Sequence, residues 1–192
     1  MHYPAHFREN ADGSIEIQTV SEHSRNTAEI AAERLRGVHL ASTGYLAGLV
    51  HDQGKFSGAF REYIEKIMAG EPVQRGSVIH THAAARFFLE HFHTAGGPYR
   101  DMTAELLAFA TGAHHGLFDC VDENHRLGFA RRLQWDDGSY REALAAFLEQ
   151  CAGMEELEAL FGQAEQELTP IFDRINRRSS NEEIFFHLGL LA

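Results

Sequence analysis

The stretch Gly48-Leu49-Val50-His51-Asp52-Gln53-Gly54-Lys55 decides how this chain is read. A helix rich in small and apolar residues ends in a His-Asp doublet, followed by a glycine and a lysine. Adjacent residues on a helix point about 100° apart. The doublet therefore suits two neighbouring metal ions, or one ion lying across a helix end. A carboxylate can bridge a metal pair about 3.5–4 Å apart. The partial negative charge of a helix C-terminus favours a cation at the same place. Gly54 is expected to turn the chain sharply and bring Lys55 back towards the doublet.

Three other histidine groups lie outward of this stretch. Glu22-His23-Ser24 opens the first long helix. His80-Thr81-His82-Ala83-Ala84-Ala85 opens a later one, whose small residues let another backbone approach; either of its histidines can serve as a ligand. Ala113-His114-His115-Gly116 closes an apolar helix. A helical bundle with converging ends would gather His23, His51, Asp52, His80, His114 and His115. Five imidazoles and a carboxylate exceed what one structural zinc takes, and no Cys-x-x-Cys pair accompanies them. Mixed nitrogen and oxygen donors suit Mn, Fe, Co, Ni or Zn better than Mg or Ca.

Composition agrees. The chain has 192 residues, 44% apolar and 23% charged, which excludes a disordered chain and leaves enough material for one globular core. Its 17 basic and 28 acidic residues give a net charge of −11, which opposes nucleic acid unless something local compensates. Thirteen histidines stand out, and histidine is the commonest metal ligand. Met1 to Asn10 has no apolar signal segment, and no run is long enough to cross a bilayer. Cys120 and Cys151 form no disulfide pattern, so a cytoplasmic protein is expected. Nothing marks symmetric oligomerisation, so a monomer is expected.

The organisation read from periodicity is all-α with a small N-terminal β-hairpin or extended arm. Asn10-Ala11-Asp12-Gly13 marks a turn before the alternating Ile15, Ile17 and Thr19. Ser21 is the expected cap of a first helix with the stripe Ala28, Ile30, Ala31, Ala32 and Leu35. Further helices are expected over 42–52, 57–68, 80–93, 103–115, 139–151 and 154–168. Pro170 is expected to open another, and 181–192 a last one. Residues 117–138 read as irregular and polar. The apolar run Ile184–Leu191 stops abruptly, so a single domain over 1–192, cut from a longer chain, is expected. His2, His6, His39, His91, His93, His125 and His187 read as surface or loop residues, with His82 open to a supporting role. Phe109, Phe118 and Trp135 read as core, and Arg131-Arg132 and Arg177-Arg178 as solvated pairs.

In order along the chain, His23, His51-Asp52 and the later histidines resemble the HD superfamily of metal-dependent phosphohydrolases. Gly44 to Phe56, with Phe60 and Tyr63 after it, is similar to the HD nuclease domain of the CRISPR-associated type I helicase-nuclease. So are His80-Thr81-His82-Ala83-Ala84-Ala85 and His114-His115-Gly116-Leu117 with Asp119. Ala5-His6-Phe7-Arg8 through Glu22-His23 resembles the opening of the subtype I-C members.

The resemblance implies an HD-domain helical bundle and metal-assisted hydrolysis of phosphodiesters in single-stranded DNA, by endonuclease cleavage with 3'-5' exonuclease cleavage as a further activity. It implies that His23 and His51 bind a first metal and that Asp52 bridges to a second. His80, His114 and His115 complete the second site, and Lys55 contacts a phosphate. A further aspartate completes the first site in family members, on a helix beyond the region of Ile184–Leu191, and this sequence ends before it. A helicase in the same full-length protein and recruitment by an RNA-guided surveillance complex are implied partners. Two other readings remain open: a phosphohydrolase acting on nucleotides or cyclic nucleotides, and a metal-binding module without turnover.

Overall fold

The computed structural model describes residues 2–74, 76–78, 80–116, 133 and 137–177. Strands β1 (Pro4–Glu9) and β2 (Ile15–Thr19) form an antiparallel hairpin. Its turn closes where Asn10 N–H donates to Ser14 O, and Gly13 takes a φ of +80° that glycine adopts freely. Helices follow at α1 (Val20–Leu35), α2 (Ala41–Val50), α3 (Gly58–Met68), α4 (His82–Phe92), α5 (Pro98–Gly112), α6 (Asp137–Gln150) and α7 (Met154–Arg177). Short 3-10 turns occupy Arg36–Val38 and Gln53–Phe56. The all-α expectation with one small hairpin therefore holds.

Helix α2 is the central element. Leu46, Leu49 and Val50 are fully buried on it, between α1 on one side and α5 and α7 on the others. Phenylalanines fill much of the remaining core. Phe92 of α4 stacks on Phe161 of α7 with ring centroids 4.1 Å apart and planes 4° from parallel. Phe56, at the end of the second 3-10 turn, packs edge-on against Phe147 of α6 at 5.6 Å. That contact fixes the turn carrying the His-Asp doublet to the bundle.

Several boundaries differ from the periodicity, each for a local reason. The cap of α1 is Thr19, not Ser21. Thr19 accepts from Glu22 N–H while the Glu22 carboxylate accepts from Thr19 N–H, a reciprocal capping box. Ser21 Oγ instead donates to Gln150 O at the end of α6. Ile30 is 62% exposed, because α1 turns the face carrying Ser24 and Ala28 inward. Helix α5 starts at Pro98, which suits a first helical position. Pro170 does not open a helix; it lies within α7. Thr169 Oγ1 donates to Glu165 O one turn back, and Leu168, Phe172 and Ile175 are buried on both sides of the proline. Packing thus holds the helix through a residue that removes one internal hydrogen bond.

The expected helix over 181–192 lies outside the described residues. So do most of the polar segment 117–138, including Phe118, Asp119, Cys120, His125, Arg131, Arg132 and Trp135, and also Arg178 and His187.

Candidate metal centre

The site begins with two glycines. A Cβ on Gly44 would stand 2.8 Å from Ala31 O, and one on Gly48 would stand 2.8 Å from both Ala28 Cα and Thr27 O. These positions are one helical turn apart, so α1 and α2 pack antiparallel at close range over that face. Residues 31 and 27 oppose 44 and 48. The next step of the same register brings His23 to Asp52, and His23 Nε2 lies 3.0 Å from Asp52 Oδ2.

His51 caps the C-terminus of α2, where its N–H donates to Ala47 O. Its Nε2 also lies 3.0 Å from Asp52 Oδ2. Asp52 then leads into the 3-10 turn, and Lys55, three residues on, returns its Nζ to within 2.8 Å of the same oxygen. Gly54 lies in this turn, which brings Lys55 back as expected, but it takes no left-handed conformation, so the turn alone does not demand a glycine. It serves contact: a Cβ there would stand 2.2 Å from His80 O and 2.8 Å from His80 Cα. The bare backbone lets the segment before α4 cross the turn and present His80.

The other carboxylate oxygen faces the remaining histidines. His114 Nε2 lies 3.5 Å and His80 Nε2 3.8 Å from Asp52 Oδ1. His115 Nε2 lies 3.3 Å from His80 Nε2. Asp52 is 2% exposed at the centre of this cluster, while the imidazoles around it are partly buried and His115 is exposed. His23, His51 and Asp52 form one set of donors within 4.8 Å of one another, and Asp52, His80 and His115 form a second. His114 joins the same cluster through Oδ1. All six residues singled out from the sequence therefore come together, with Lys55 beside them. His82 is buried at the start of α4 and belongs to neither set.

A family model described as Cas3, HD domain, matches residues 12–185. The chain belongs to the Cas3 HD-domain family. No curated protein matches it. As a Cas3 HD domain it is a metal-dependent nuclease domain of CRISPR systems.

The donor chemistry of this Cas3 HD domain fits divalent metal. Nδ1 of His51 lies 2.7 Å from Gly48 O, Nδ1 of His114 meets Thr111 O, and Nδ1 of His80 lies 3.4 Å from Val78 O. A carbonyl oxygen only accepts, so in the neutral imidazoles Nδ1 carries the proton and Nε2 a lone pair. These lone pairs point at a carboxylate, which also only accepts. Asp52 Oδ1 and His114 Nε2 are both buried without a hydrogen-bond partner. A cation between them, either a proton on Nε2 or a metal ion in its place, reconciles the facing acceptors.

The electrostatics agree. Burial works against a charge on Asp52, yet the facing His114, His23 and His51 hold its carboxyl far below the ordinary range. Asp52 is therefore anionic at working pH. Burial pushes His80 down to about 4; Asp52 opposes this and Lys55 adds to it. His80 is thus neutral and free to coordinate.

From the sequence, His6 reads as a surface or loop histidine. It is exposed, yet its ring lies 4.8 Å from that of His23, at one end of an arc of imidazoles running through His51, His114 and His115 to His80. No local pattern in the sequence ties a strand residue to a helix seventeen positions on.

Proposed function

We propose that this domain hydrolyses phosphodiester bonds in single-stranded DNA during CRISPR interference, cutting internally, with 3'-5' trimming as a further activity. The observation that carries the reading is the two-sided use of Asp52: His23 and His51 approach Oδ2 while His80 and His114 approach Oδ1. Such a carboxylate suits a bridge between two ions, with His115 on the second.

Divalent ions held there would activate water for attack on phosphorus and offset the charge that builds on the phosphoryl oxygens. The chain's own residues do the rest. Asp52 supplies the shared anion. The backbone carbonyls behind His51, His80 and His114 hold each Nε2 towards it. Lys55, buried beside Asp52 with its Nζ 5.5 Å from the Phe60 ring centroid, supplies a positive charge for a substrate phosphate. The donor set favours Mn, Fe, Co or Ni, with Zn as a further candidate.

Lys plus Arg number 17 against 28 acidic residues, so the domain by itself is a poor ligand for a long DNA strand. Delivery of the strand by a helicase in the same full-length protein, recruited by an RNA-guided surveillance complex, removes that difficulty. This picture places the domain in the cytoplasm as a monomer. Among the described residues no helix is long and apolar enough to cross a membrane.

The test is incubation of circular single-stranded DNA with Mn²⁺, Co²⁺, Ni²⁺ or Mg²⁺, comparing the parent with Asp52→Ala, with mononucleotides and cyclic nucleotides in parallel. Linearised DNA from the parent alone supports the reading. Turnover of nucleotides with intact circles would assign the site to small-molecule phosphohydrolysis instead.

A further inference from the structure

Three of the four imidazoles that face Asp52 have their Nδ1 set against a backbone carbonyl: His51 on Gly48, His114 on Thr111 and His80 on Val78. His23 has none among the described residues. Its Nε2 lies on Asp52 Oδ2, and its ring is bordered by two other imidazoles. One is His51, at 5.2 Å and 55°. The other is His6, at 4.8 Å and 74°, an edge-to-face contact. His51 is itself held by Gly48, and His6 adds a second ring contact that comes from outside the helices carrying His23 and His51.

The hairpin is built to deliver His6 there. Pro4 pairs with Thr19 and His6 with Gln18, so Ala5 is an extra residue on β1 and forms a bulge. A bulge re-aims the side chains that follow it, and bulges occur disproportionately beside active sites. Pro4 and Ala5 are both buried, and exposure begins at His6. The strand is pinned just before the bulge. Tyr3 O accepts from Val20 N–H at 2.7 Å, and the Tyr3 ring packs on Phe56 at 5.5 Å. Phe56 ends the turn that carries Asp52 and Lys55. The hairpin and the metal turn therefore share one rigid support, and His6 projects from it onto His23.

We propose that His6 is a positioning residue for His23, holding its ring edge-to-face so that Nε2 stays on Asp52 Oδ2. The inference rests on the metal-ligand role proposed above for His23. His6 belongs to neither donor set, so it acts through His23 and not as a ligand itself. An edge-to-face ring pair is typically worth roughly 2- to 12-fold in an equilibrium constant, and it tolerates exchange of one ring for another.

The test is Mn²⁺ titration calorimetry on the whole chain, comparing the parent with His6→Ala, His6→Gln and His6→Phe. The ion in question is the one lost in His23→Ala. The expected result is roughly five- to tenfold weaker binding of that ion in His6→Ala and His6→Gln, with the other ion unchanged, and recovery to within about twofold in His6→Phe. His6 is exposed, so these changes leave the core intact, and His6→Phe carries the test should His6→Ala not fold. Parent-like affinity in His6→Ala would overturn the proposal. Affinity in His6→Phe as weak as in His6→Ala would also overturn it, because His6 would then act through a ring nitrogen. A parent that binds no Mn²⁺ would overturn the metal reading of His23 itself, and this inference with it.

Discussion

The missing Cβ of Gly48 would stand 2.8 Å from the Cα of Ala28. That gap sets how near α1 comes to α2, and hence whether His23 reaches Asp52. Gly48→Ala should force the helices apart at a cost of about 1–3 kcal/mol, the usual range for overpacking. It should also weaken the ion held by His23, His51 and Asp52. Gly162→Ala is the control. Gly162 lies within α7 with nothing near its added carbon, so alanine should be neutral or stabilising by up to about 1 kcal/mol. Urea unfolding of both variants checks this. Equal stabilities would remove close helix packing from the account.

Gly54→Ala addresses the other side of the carboxylate. The added carbon would lie 2.2 Å from His80 O, so the segment before α4 must shift. The variant should lose the ion associated with His80 and His115 and keep the one associated with His23 and His51. Calorimetric stoichiometry should fall by one ion per chain. Unchanged stoichiometry would mean that the approach of His80 to the turn is not needed for binding.

Lys55 and Asp52 form a buried ion pair at 2.8 Å, and Asp52 is the only ion-pair partner of Lys55 among the described residues. Removing the anion strands a buried cation, which costs about 3 kcal/mol or more. Metal-free Asp52→Ala should therefore be less stable than the parent by roughly that amount. Asp52→Ala with Lys55→Met should recover most of it. Urea unfolding in the presence of a chelator reads both effects, and a metal-free Asp52→Ala as stable as the parent would contradict them.

Glu167 of α7 caps α2 from outside. Its carboxylate accepts from Ser42 N–H, Thr43 N–H and Thr43 Oγ1–H, each at 2.8 Å, where the residue preceding α2, Leu40, offers no side-chain cap. Burial opposes the charge, but these hydrogen bonds hold the Glu167 carboxyl below the ordinary value of 4.5. A carboxyl with a depressed folded-state pKa adds stability above its unfolded pKa and loses it as pH falls through the folded value. Glu167→Gln should cost about 1.5 kcal/mol at pH 7. The gap between parent and variant should narrow on acidification below 4.5. Unfolding at pH 7 and at acid pH tests this, and a constant gap would show that the charge plays no part.

Much of the site was legible in the sequence because its donors are rare residue types at helix ends. His51-Asp52 and His114-His115 each follow an apolar helix, His23 lies in the first turn of α1, and His80 precedes α4. What was not legible depends on contacts between distant segments. Gly54 reads as a turn residue, and only the crossing of His80 reveals its purpose. His6 sits on a strand whose alternation is broken by a bulge, so periodicity cannot aim it. Ser21 and Thr19 are both good caps, and the choice fell to Glu22, three residues after Thr19. Pro170 reads as a helix start until the burial of Leu168, Phe172 and Ile175 shows packing overriding the proline.

The proposed function turns on one carboxylate, Asp52, shared by two ions. Titration of Mn²⁺ into the parent and into Asp52→Ala at neutral pH measures this directly. Two ions per parent chain and none in the variant is the predicted result. Two ions retained by Asp52→Ala would contradict it, because the histidines would then hold both without the shared carboxylate.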